Sequence, residues 1–422
     1  MTEKPLFWDA ATDPRGDEVV LRFVLSSDTH VMPLPAWMDS RGRFRDMINL
    51  AYAYADACTK PGLDAFVVVG DLVDNGRVAE YEEFNALVKE YARPETPWIT
   101  VIGNHEFFEG TEEEYRRYIC PETEVHTVVK GYHFIGASGE DAYGCVRSHL
   151  PFVRRAVEEA LAADPDKPIF TFQHYPIANT VHLSHYHREG SEWTESSEEL
   201  REICSQSSRI VNFSGHSHGP VNHPRAMWQK DFTAFANGTL TYFCHGRRLT
   251  ADYDPSMVEE SNQFCIVEVL ADQTVRILPL DNHTGDVFRV PRTGEPLRYV
   301  FDVNRPETWA YTAEKRALQP QPAFREEAAV TVTREEDAVV SLSFPQAVAY
   351  ECIYRYHIRL CGDDGSEQTF DYSSVYFMKP MPEKLTVPLT DTVKTGVTYT
   401  VTVEPFDAFE RAGELLTATF RA

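Results

Sequence analysis

Five short apolar runs in the first half of the chain each end in a cluster of acidic, amide or imidazole side chains. The runs are rich in β-branched residues, and this composition is typical of buried strands. They are Val19–Leu25 before Asp28 and His30, Ala65–Val69 before Asp71 and Asp74, Ile99–Ile102 before Asn104 and His105, Ile169–Phe172 before His174, and Ile210–Phe213 before His216 and His218. Because α/β sheets bind ligands at the carboxyl ends of their strands, we expect the five clusters to form one site.

The clusters together offer two Asp, one Asn and four His as metal ligands, and no Cys. This set of oxygen and nitrogen atoms suits two neighbouring divalent ions. It accepts Mn²⁺, Fe, Zn²⁺ or Co²⁺, so the sequence does not identify the metal. Any one of these residues is weak evidence for a metal site, because a lone His174 is more often structural and a lone Asp71 often opens a turn. The five clusters in this order predict a dinuclear metal site.

The order of the clusters, D-x-H, G-D-x-x-D, G-N-H-E, a lone His and G-H-x-H, resembles the calcineurin-like metallophosphoesterase superfamily over roughly residues 19–285. The resemblance implies an α/β core in which two stacked sheets are flanked by helices, an αββα sandwich. It also implies a ligand set, in which Asp71 bridges two metal ions. One ion would be bound by Asp28, His30, Asp71 and His218, and the other by Asp71, Asn104, His174 and His216.

The resemblance also assigns roles to residues beside the metals. His105 corresponds to a histidine that protonates the departing alkoxide or stabilises the charge of the transition state, with a solvent-facing histidine as the alternative. Asp74 would orient a neighbouring ligand, whereas a Tyr at this position would resemble the purple acid phosphatases. Asn104 and His105 are expected to contact the substrate. Arg247 could also reach a phosphate, with a solvated surface arginine as the alternative. Glu106 stands where many relatives have Asp, and we expect this difference to matter little.

Charge and composition restrict the classes of partner. The 40 Lys and Arg residues against 65 Asp and Glu give a formal net charge of −25, which repels nucleic acids, so we expect none as a partner. No apolar run is long enough to span a bilayer, so no membrane partner is expected. Residues 1–18 lack the apolar core of a signal peptide and the Cys residues are scattered, which predicts a cytoplasmic location. The sequence does not predict an oligomeric state.

Hydrophobic periodicity predicts helices at 45–60, 78–92, 112–119, 150–163 and 197–205, between the apolar runs, so the fold class up to residue 215 is α/β. Strand-like runs follow at 232–243, 264–270 and 274–280. We predict four segments. They are an N-terminal extension at 1–18, the metallophosphoesterase domain at 19–303, a proline-containing linker at 304–324 and an all-β sandwich at 325–422.

The C-terminal segment is similar to fibronectin type III domains around Gly396–Val403, where Tyr399 is placed like the tyrosine-corner residue. A generic β-sandwich is the alternative. The segment contains no ligand cluster, so we expect it to have a supporting or binding role. Its removal is expected to leave metal binding largely intact.

The expected function is that of a metal-dependent hydrolase of phosphate esters. The stretch from Gly70 to Gly76, with Glu80, Tyr81 and Phe84, resembles the cyclic-nucleotide phosphodiesterase-like branch of the superfamily, which favours a small-molecule phosphodiester as substrate. The alternatives are a phosphomonoesterase acting on nucleotides or sugar phosphates, and a non-catalytic metal-binding scaffold. The histidine-rich stretch 182–187 is expected either to rim the pocket or to form an exposed polar insertion.

Overall fold

The described residues up to Asp302 form two stacked sheets and their flanking helices. The computed structural model describes residues 5–36, 38–184, 192–243, 262–290, 293–335, 338–377, 381–389 and 392–422, with the backbone alone for 192–195, 338 and 340. The elements up to the last ligand cluster are α1 Trp8–Ala11, β1 Val19–Ser26, α2 Ser40–Ala57, β2 Ala65–Val69, α3 Val78–Tyr91, β3 Trp98–Val101, α4 Glu112–Tyr118, β4 Glu124–Val129, β5 Tyr132–Ala137, α5 Leu150–Ala163, β6 Ile169–Gln173, α6 Glu192–Cys204 and β7 Ile210–Ser214. The strands that precede the five clusters are thus present, each within one residue of its predicted bounds.

The remaining elements are mostly strands. They are β8 Met227–Gln229, β9 Thr233–Ala236, β10 Gln263–Leu270, β11 Thr274–Asp281, β12 Asp286–Val287, β13 Tyr299–Asp302, α7 Ala313–Ala317, β14 Thr331–Glu335, β15 Ala338–Pro345, β16 Ile353–Gly362, β17 Glu367–Ser373, β18 Lys384–Pro388, β19 Thr398–Asp407 and β20 Leu416–Arg421. The predicted strand at 232–243 is wrong beyond Ala236.

The first sheet has the strand order β12-β11-β10-β1-β2-β3, with β13 paired to β11. Strands β1, β2 and β3 run parallel, while β10 pairs antiparallel with β1. The second sheet has the order β4-β5-β6-β7-β9-β8, and its four central strands are parallel. Parallel strands place their carboxyl ends at one edge, so each sheet brings its ligand clusters together.

A hydrophobic core fills the space between the two sheets. The ring of Phe23 in β1 lies 5.1 Å from Phe134 and 5.0 Å from Phe170 of the second sheet. A second buried cluster lies between the first sheet and α1 to α4, and a third lies between the second sheet and α5 and α6. Burial of each Phe side chain contributes about 1.5–3 kcal/mol to stability. The layers confirm the predicted αββα sandwich.

The last part of the chain consists of antiparallel strands in two sheets, as predicted. One sheet has the order β14-β15-β18 and the other β17-β16-β19-β20, and both pack on one apolar core. The backbone N–H of Lys394 donates a hydrogen bond of 3.1 Å to Oη of Tyr399, which is the contact expected of a tyrosine corner. The fibronectin type III-like assignment stays a prediction.

The segment at 304–324 is packed against its surroundings. Trp309 is 1% exposed and belongs to the core between the two sheets. Arg316 of α7 is buried, donates hydrogen bonds to the carbonyl oxygens of Pro224 and Met227, and pairs with Glu351 at 3.1 Å. The segment therefore joins the two parts of the chain through buried contacts. The four-segment division itself stays a prediction.

No helix among the described residues combines the length and apolar character needed to cross a membrane.

Candidate metal centre

The loops after β1, β2, β3, β6 and β7 converge at one edge of the two sheets. The backbone N–H of Asp28 donates to the Gly70 carbonyl at 3.1 Å, and the N–H of His216 donates to the Asp28 carboxylate at 3.1 Å. Asp71 accepts a hydrogen bond of 2.9 Å from the N–H of His105. These contacts link clusters that are far apart in the sequence, as their positions after parallel strands predict.

The backbone at this edge adopts a conformation that is rare for residues other than glycine. Eleven such residues have a positive φ among those that the structure describes, and five of them are predicted ligands: Asp28, His30, Asp71, His216 and His218. Each costs roughly 1–3 kcal/mol and persists where the surrounding structure requires it, which occurs most often at functional sites. The sharp turns aim these side chains into one volume.

Two glycines make this close approach possible. A Cβ on Gly103 would lie 2.2 Å from Oδ1 of Asp71, and a Cβ on Gly70 would lie 2.5 Å from Nδ1 of His174. Neither distance is compatible with van der Waals contact. The glycines in the G-N-H-E and G-D-x-x-D clusters therefore leave space for ligand side chains from neighbouring loops.

The predicted ligands of the first metal ion lie together. Asp28, His30, Asp71 and His218 are all buried, and one potential ligand atom from each lies within 4.8 Å of those of the others. Nε2 of His218 is 3.0 Å from Oδ1 of Asp28, and Nε2 of His30 is 3.8 Å from Oδ2 of Asp71. The group has two carboxylates and two imidazoles, as a divalent ion of the Mn²⁺ to Zn²⁺ series accepts.

The predicted ligands of the second ion form an adjoining group. Asp71, His174 and His216 meet the same 4.8 Å limit, so Asp71 belongs to both groups. Nε2 of His174 lies 3.0 Å from Oδ2 of Asp71 and 3.1 Å from Oδ1 of Asn104. The geometry thus places a carboxylate between two sets of ligands.

Buried polar atoms at this edge are placed to coordinate metal ions rather than to form hydrogen bonds. Neither ring nitrogen of His30 makes a hydrogen bond to any described residue, although both are inaccessible to solvent. An unsatisfied buried polar group costs about 1–3 kcal/mol, and metal coordination removes this cost. The residues present therefore fit a pair of divalent ions.

Charge interactions shift the pKa values of the metal-free protein. Burial lowers the pKa of His174, but Asp71 and Asp28 raise it more, so that it reaches about 9. Burial raises the pKa of Asp28, but His218 and His174 lower it more, so that it stays below its ordinary value. The pKa of His216 is lowered by burial and by His174. In the absence of metal, protons on imidazoles balance the two carboxylates.

The second ring nitrogen of two predicted ligand histidines is fixed by the backbone. Nδ1 of His174 donates to the Val69 carbonyl at 2.8 Å, and Nδ1 of His218 donates to the Tyr242 carbonyl at 2.9 Å. A proton held on Nδ1 leaves Nε2 with its lone pair directed into the site, which is the form that binds metal.

Comparison with known proteins identifies the domain that carries this site. Residues 21–220 match the family model described as "Calcineurin-like phosphoesterase". These residues form a calcineurin-like phosphoesterase domain. The match includes all five clusters and confirms the family resemblance. No curated protein matches the chain.

Solved structures offer weaker likenesses. A purple acid phosphatase, PPD1, isolated from yellow lupin (Lupinus luteus) seeds is 14% identical with a TM-score of 0.46, over 66% of this chain and 54% of that one. This chain therefore spans about half the length of that phosphatase. The fn3 domain of human collagen alpha-1(XX) chain is 15% identical with a TM-score of 0.17, over 25% of this chain and 85% of that one. Neither likeness is close enough to support an argument about function.

The predicted catalytic pair of the phosphoesterase domain lies at the edge of the ligand groups. Nδ1 of His105 donates to the Asp74 carbonyl at 2.7 Å, and its Nε2 lies 3.9 Å from Oδ2 of Asp71. Oδ1 of Asp74 is 3.3 Å from Nδ1 of His30 and 3.9 Å from Nδ1 of His105. Asp74 is thus near both histidines, as its predicted orienting role requires. Burial lowers the pKa of His105.

Sequence reasoning underestimated Glu106. Its buried carboxyl accepts hydrogen bonds from the backbone N–H groups of Asp71, Leu72, Val73 and Gly103, at 2.6 to 3.2 Å. Burial and the neighbouring Asp71 raise its pKa to about 8. Glu106 therefore clamps the loop after β2 to the loop after β3. Its position two residues after the predicted ligand Asn104 is the sequence feature that could have indicated this role.

Two aromatic neighbours of the ligands were also missed. The ring of Tyr175 stacks on His216 with a centroid separation of 3.7 Å, and the ring of Tyr242 stacks on His218 at 4.2 Å. Tyr175 directly follows the predicted ligand His174 in the sequence, whereas nothing in the sequence pattern indicates Tyr242. Both rings restrict the orientation of an imidazole.

Some predicted residues cannot be placed. Arg247, the candidate phosphate-binding arginine, lies outside the described residues, as do His185 and His187 of the histidine-rich stretch. His182 of that stretch is buried, and its ring stacks on His223 at 4.0 Å.

Proposed function

We propose that the chain is a dinuclear-metal-dependent phosphodiesterase that acts on a small-molecule phosphate diester. The observation that carries this proposal is the pair of adjoining ligand groups that share Asp71, all of whose members are buried except the half-buried His216. The calcineurin-like phosphoesterase match over residues 21–220 supports the reaction class. We propose Asp28, His30, Asp71 and His218 as ligands of one ion, and Asp71, Asn104, His174 and His216 as ligands of the other.

The donor set determines which ions fit. Carboxylate, amide and neutral imidazole ligands suit Mn²⁺, Fe, Zn²⁺ or Co²⁺. Two such ions would supply Lewis acidity for a phosphate and would lower the pKa of a bound water molecule. The protein contributes the placement: Asp71 lies between the groups, and Nε2 of His174 and of His218 faces the site because Nδ1 of each is bonded to a carbonyl.

His105 is placed to transfer a proton. Its Nδ1 is fixed on the Asp74 carbonyl, so its Nε2 faces Asp71 across 3.9 Å. In the protonated ring, Nε2 can donate to the oxygen of a departing alkoxide next to the bound phosphate. Burial lowers the pKa of His105, and a lower pKa makes the ring a stronger acid. We propose His105 as the general acid and Asp74 as the residue that orients it.

The preference for a small diester is supported by two features of the sequence. The stretch Gly70–Gly76 and the residues after it are similar to the cyclic-nucleotide phosphodiesterase-like branch. The net charge of −25 disfavours polyanionic substrates such as nucleic acids.

The test is hydrolysis of bis(p-nitrophenyl) phosphate beside p-nitrophenyl phosphate, with Mn²⁺ added. The proposal predicts faster hydrolysis of the diester. The Asp71→Asn variant should lose this diesterase activity. Asp56→Asn, in which an exposed carboxylate paired with Arg93 is removed, serves as the control and should retain it. Faster hydrolysis of the monoester would replace the diesterase with a phosphomonoesterase. Inactivity on both esters by protein that holds two ions would favour a non-catalytic scaffold.

A further inference from the structure

The segment between β9 and residue 243 connects a proposed metal ligand to the C-terminal sandwich. Tyr242 contacts His218 twice, because its carbonyl accepts the His218 Nδ1–H at 2.9 Å and its ring stacks on the imidazole at 4.2 Å with an interplanar angle of 22°. A carbonyl that accepts from the far nitrogen of a ligand histidine sets its tautomer and orientation. The position of Tyr242 therefore decides where Nε2 of His218 lies.

The next residue is buried in the other part of the molecule. Phe243 is 0% exposed and belongs to the apolar core of the sandwich, together with Leu342, Val387 and Val401. Its ring lies 5.8 Å from that of Phe377. Among the described buried residues of that core, Phe243 is the one that precedes residue 339. The sandwich thus holds the residue adjacent to Tyr242.

The loop that follows His218 rests on the same surface. Nδ2 of Asn222 donates to the Tyr376 carbonyl at 2.9 Å. The ring of His223 lies 5.4 Å from Tyr354 and 5.5 Å from Tyr376. His218 is therefore held between two stretches of chain, 221–223 and 242–243, that both contact the sandwich.

The opposite end of the segment is fixed by the phosphoesterase domain. Arg43 of α2 donates hydrogen bonds to the carbonyls of Leu240 and Thr241. The hydroxyl of Thr241 donates to the carbonyl of Asp28 at 3.4 Å. Leu240 and Thr241 are thus bonded to the phosphoesterase domain, and Phe243 is buried in the sandwich. Tyr242 lies between these two attachments.

From these contacts we propose that the C-terminal sandwich positions the ligand His218, with Phe243 as its anchor and Tyr242 as the positioning residue. The inference rests on the proposed metal centre. It departs from the sequence-based expectation that residues 325–422 are dispensable for metal binding. Loss of such outer contacts to ligands typically weakens metal binding about 10–100-fold.

The test is titration of the metal-free full-length chain with Co²⁺, followed by its visible absorption, which reports the geometry of the bound ion. Phe243→Ala and Tyr242→Ala should bind one of two Co²⁺ ions about 10–100-fold more weakly, with an altered spectrum. Phe344→Ala is the matched control, since Phe344 is equally buried in the sandwich core but contacts Tyr356. It should lower the thermal unfolding temperature while leaving Co²⁺ affinity and spectrum unchanged.

Three results distinguish the possibilities. Wild-type affinity and spectrum in folded Phe243→Ala and Tyr242→Ala would overturn the inference and leave the proposed metal centre intact. An equal loss of affinity in Phe344→Ala would also overturn it, because the effect would then be general destabilisation. Failure of the wild-type chain to bind Co²⁺ would overturn the proposed function as well. If Phe243→Ala does not fold, Tyr242→Ala and Phe243→Leu decide the outcome by the same criteria.

Discussion

At the scale of single residues, the metal-free site holds protons that metal ions must displace. The carboxylates Asp71 and Asp28 raise the pKa of His174 to about 9 against the effect of burial, and they raise the pKa of His218 as well. Histidine binds metal in its neutral form, so each protonated ring must lose a proton when an ion binds. Metal binding and protonation therefore compete for the same nitrogen atoms.

We expect Mn²⁺ binding at pH 7 to release protons, and its affinity to rise as the pH increases to about 9, where His174 becomes neutral. Titration calorimetry in two buffers with different enthalpies of ionisation measures the number of protons released. An affinity that stays constant from pH 7 to pH 9, with no release of protons, would contradict the assignment of His174 as a ligand.

His105 gives a second prediction at this scale. A general acid matters most for a leaving group that needs a proton, and its removal typically costs about 10²–10⁴ in rate. We expect His105→Ala to lose most of its activity on diesters with alkyl leaving groups, and far less on esters of p-nitrophenol, which departs as a stable anion. His126→Ala is the control, because His126 lies on β4 and pairs with His133 at 2.8 Å. Equal losses on both kinds of ester would contradict proton donation by His105.

At the scale of elements, Glu106 holds two ligand loops in register. Its carboxyl accepts four backbone N–H groups, two on each oxygen, from the turns after β2 and β3. We expect Glu106→Gln to lower the free energy of unfolding by about 2 kcal/mol, because the amide NH₂ cannot accept from the N–H groups that it would face. It should also weaken metal binding, since Asp71 and Asn104 lie on these loops.

Chemical denaturation and metal titration of Glu106→Gln measure both effects. Glu109→Gln is the matched control, because Glu109 is exposed and pairs with Arg77 in solvent, and it should behave like wild type. A Glu106→Gln chain with wild-type stability and metal affinity would show that the clamp is unimportant.

The elements also show what the sequence could and could not predict. The strands before the five clusters were predictable because they are buried on both faces and therefore consist of continuous apolar runs, such as Ala65–Val69. Strand β4 was not, because its exposed edge position leaves His126 and Thr127 only partly buried and breaks the pattern. The stretch 237–243 looks like a strand because Thr, Tyr and Phe favour strands, but it buries Leu240 and Phe243 in two different cores.

At the scale of the whole molecule, the sequence predicted which acidic and imidazole side chains lie together, but not how the two parts of the chain are connected. The order of the clusters is local information, whereas the contacts of Arg316 with Pro224 and of Phe243 with Phe377 join residues far apart in the sequence. Hydrophobic periodicity predicts that a residue is buried, but it does not identify the residues against which that residue packs. The stretch 304–324 was predicted to be a linker for the same reason, because its buried Trp309 has no periodic neighbours.

The most direct test of the account is anomalous diffraction from crystals of the full chain grown with Mn²⁺. We predict two anomalous peaks about 3.5–4 Å apart, on either side of the Asp71 carboxylate. His30 and His218 should ligate one peak, and His174 and His216 the other. Crystals soaked in abundant Mn²⁺ that show no peak beside Asp71 would contradict the proposal that this edge of the sheets is a dinuclear metal centre.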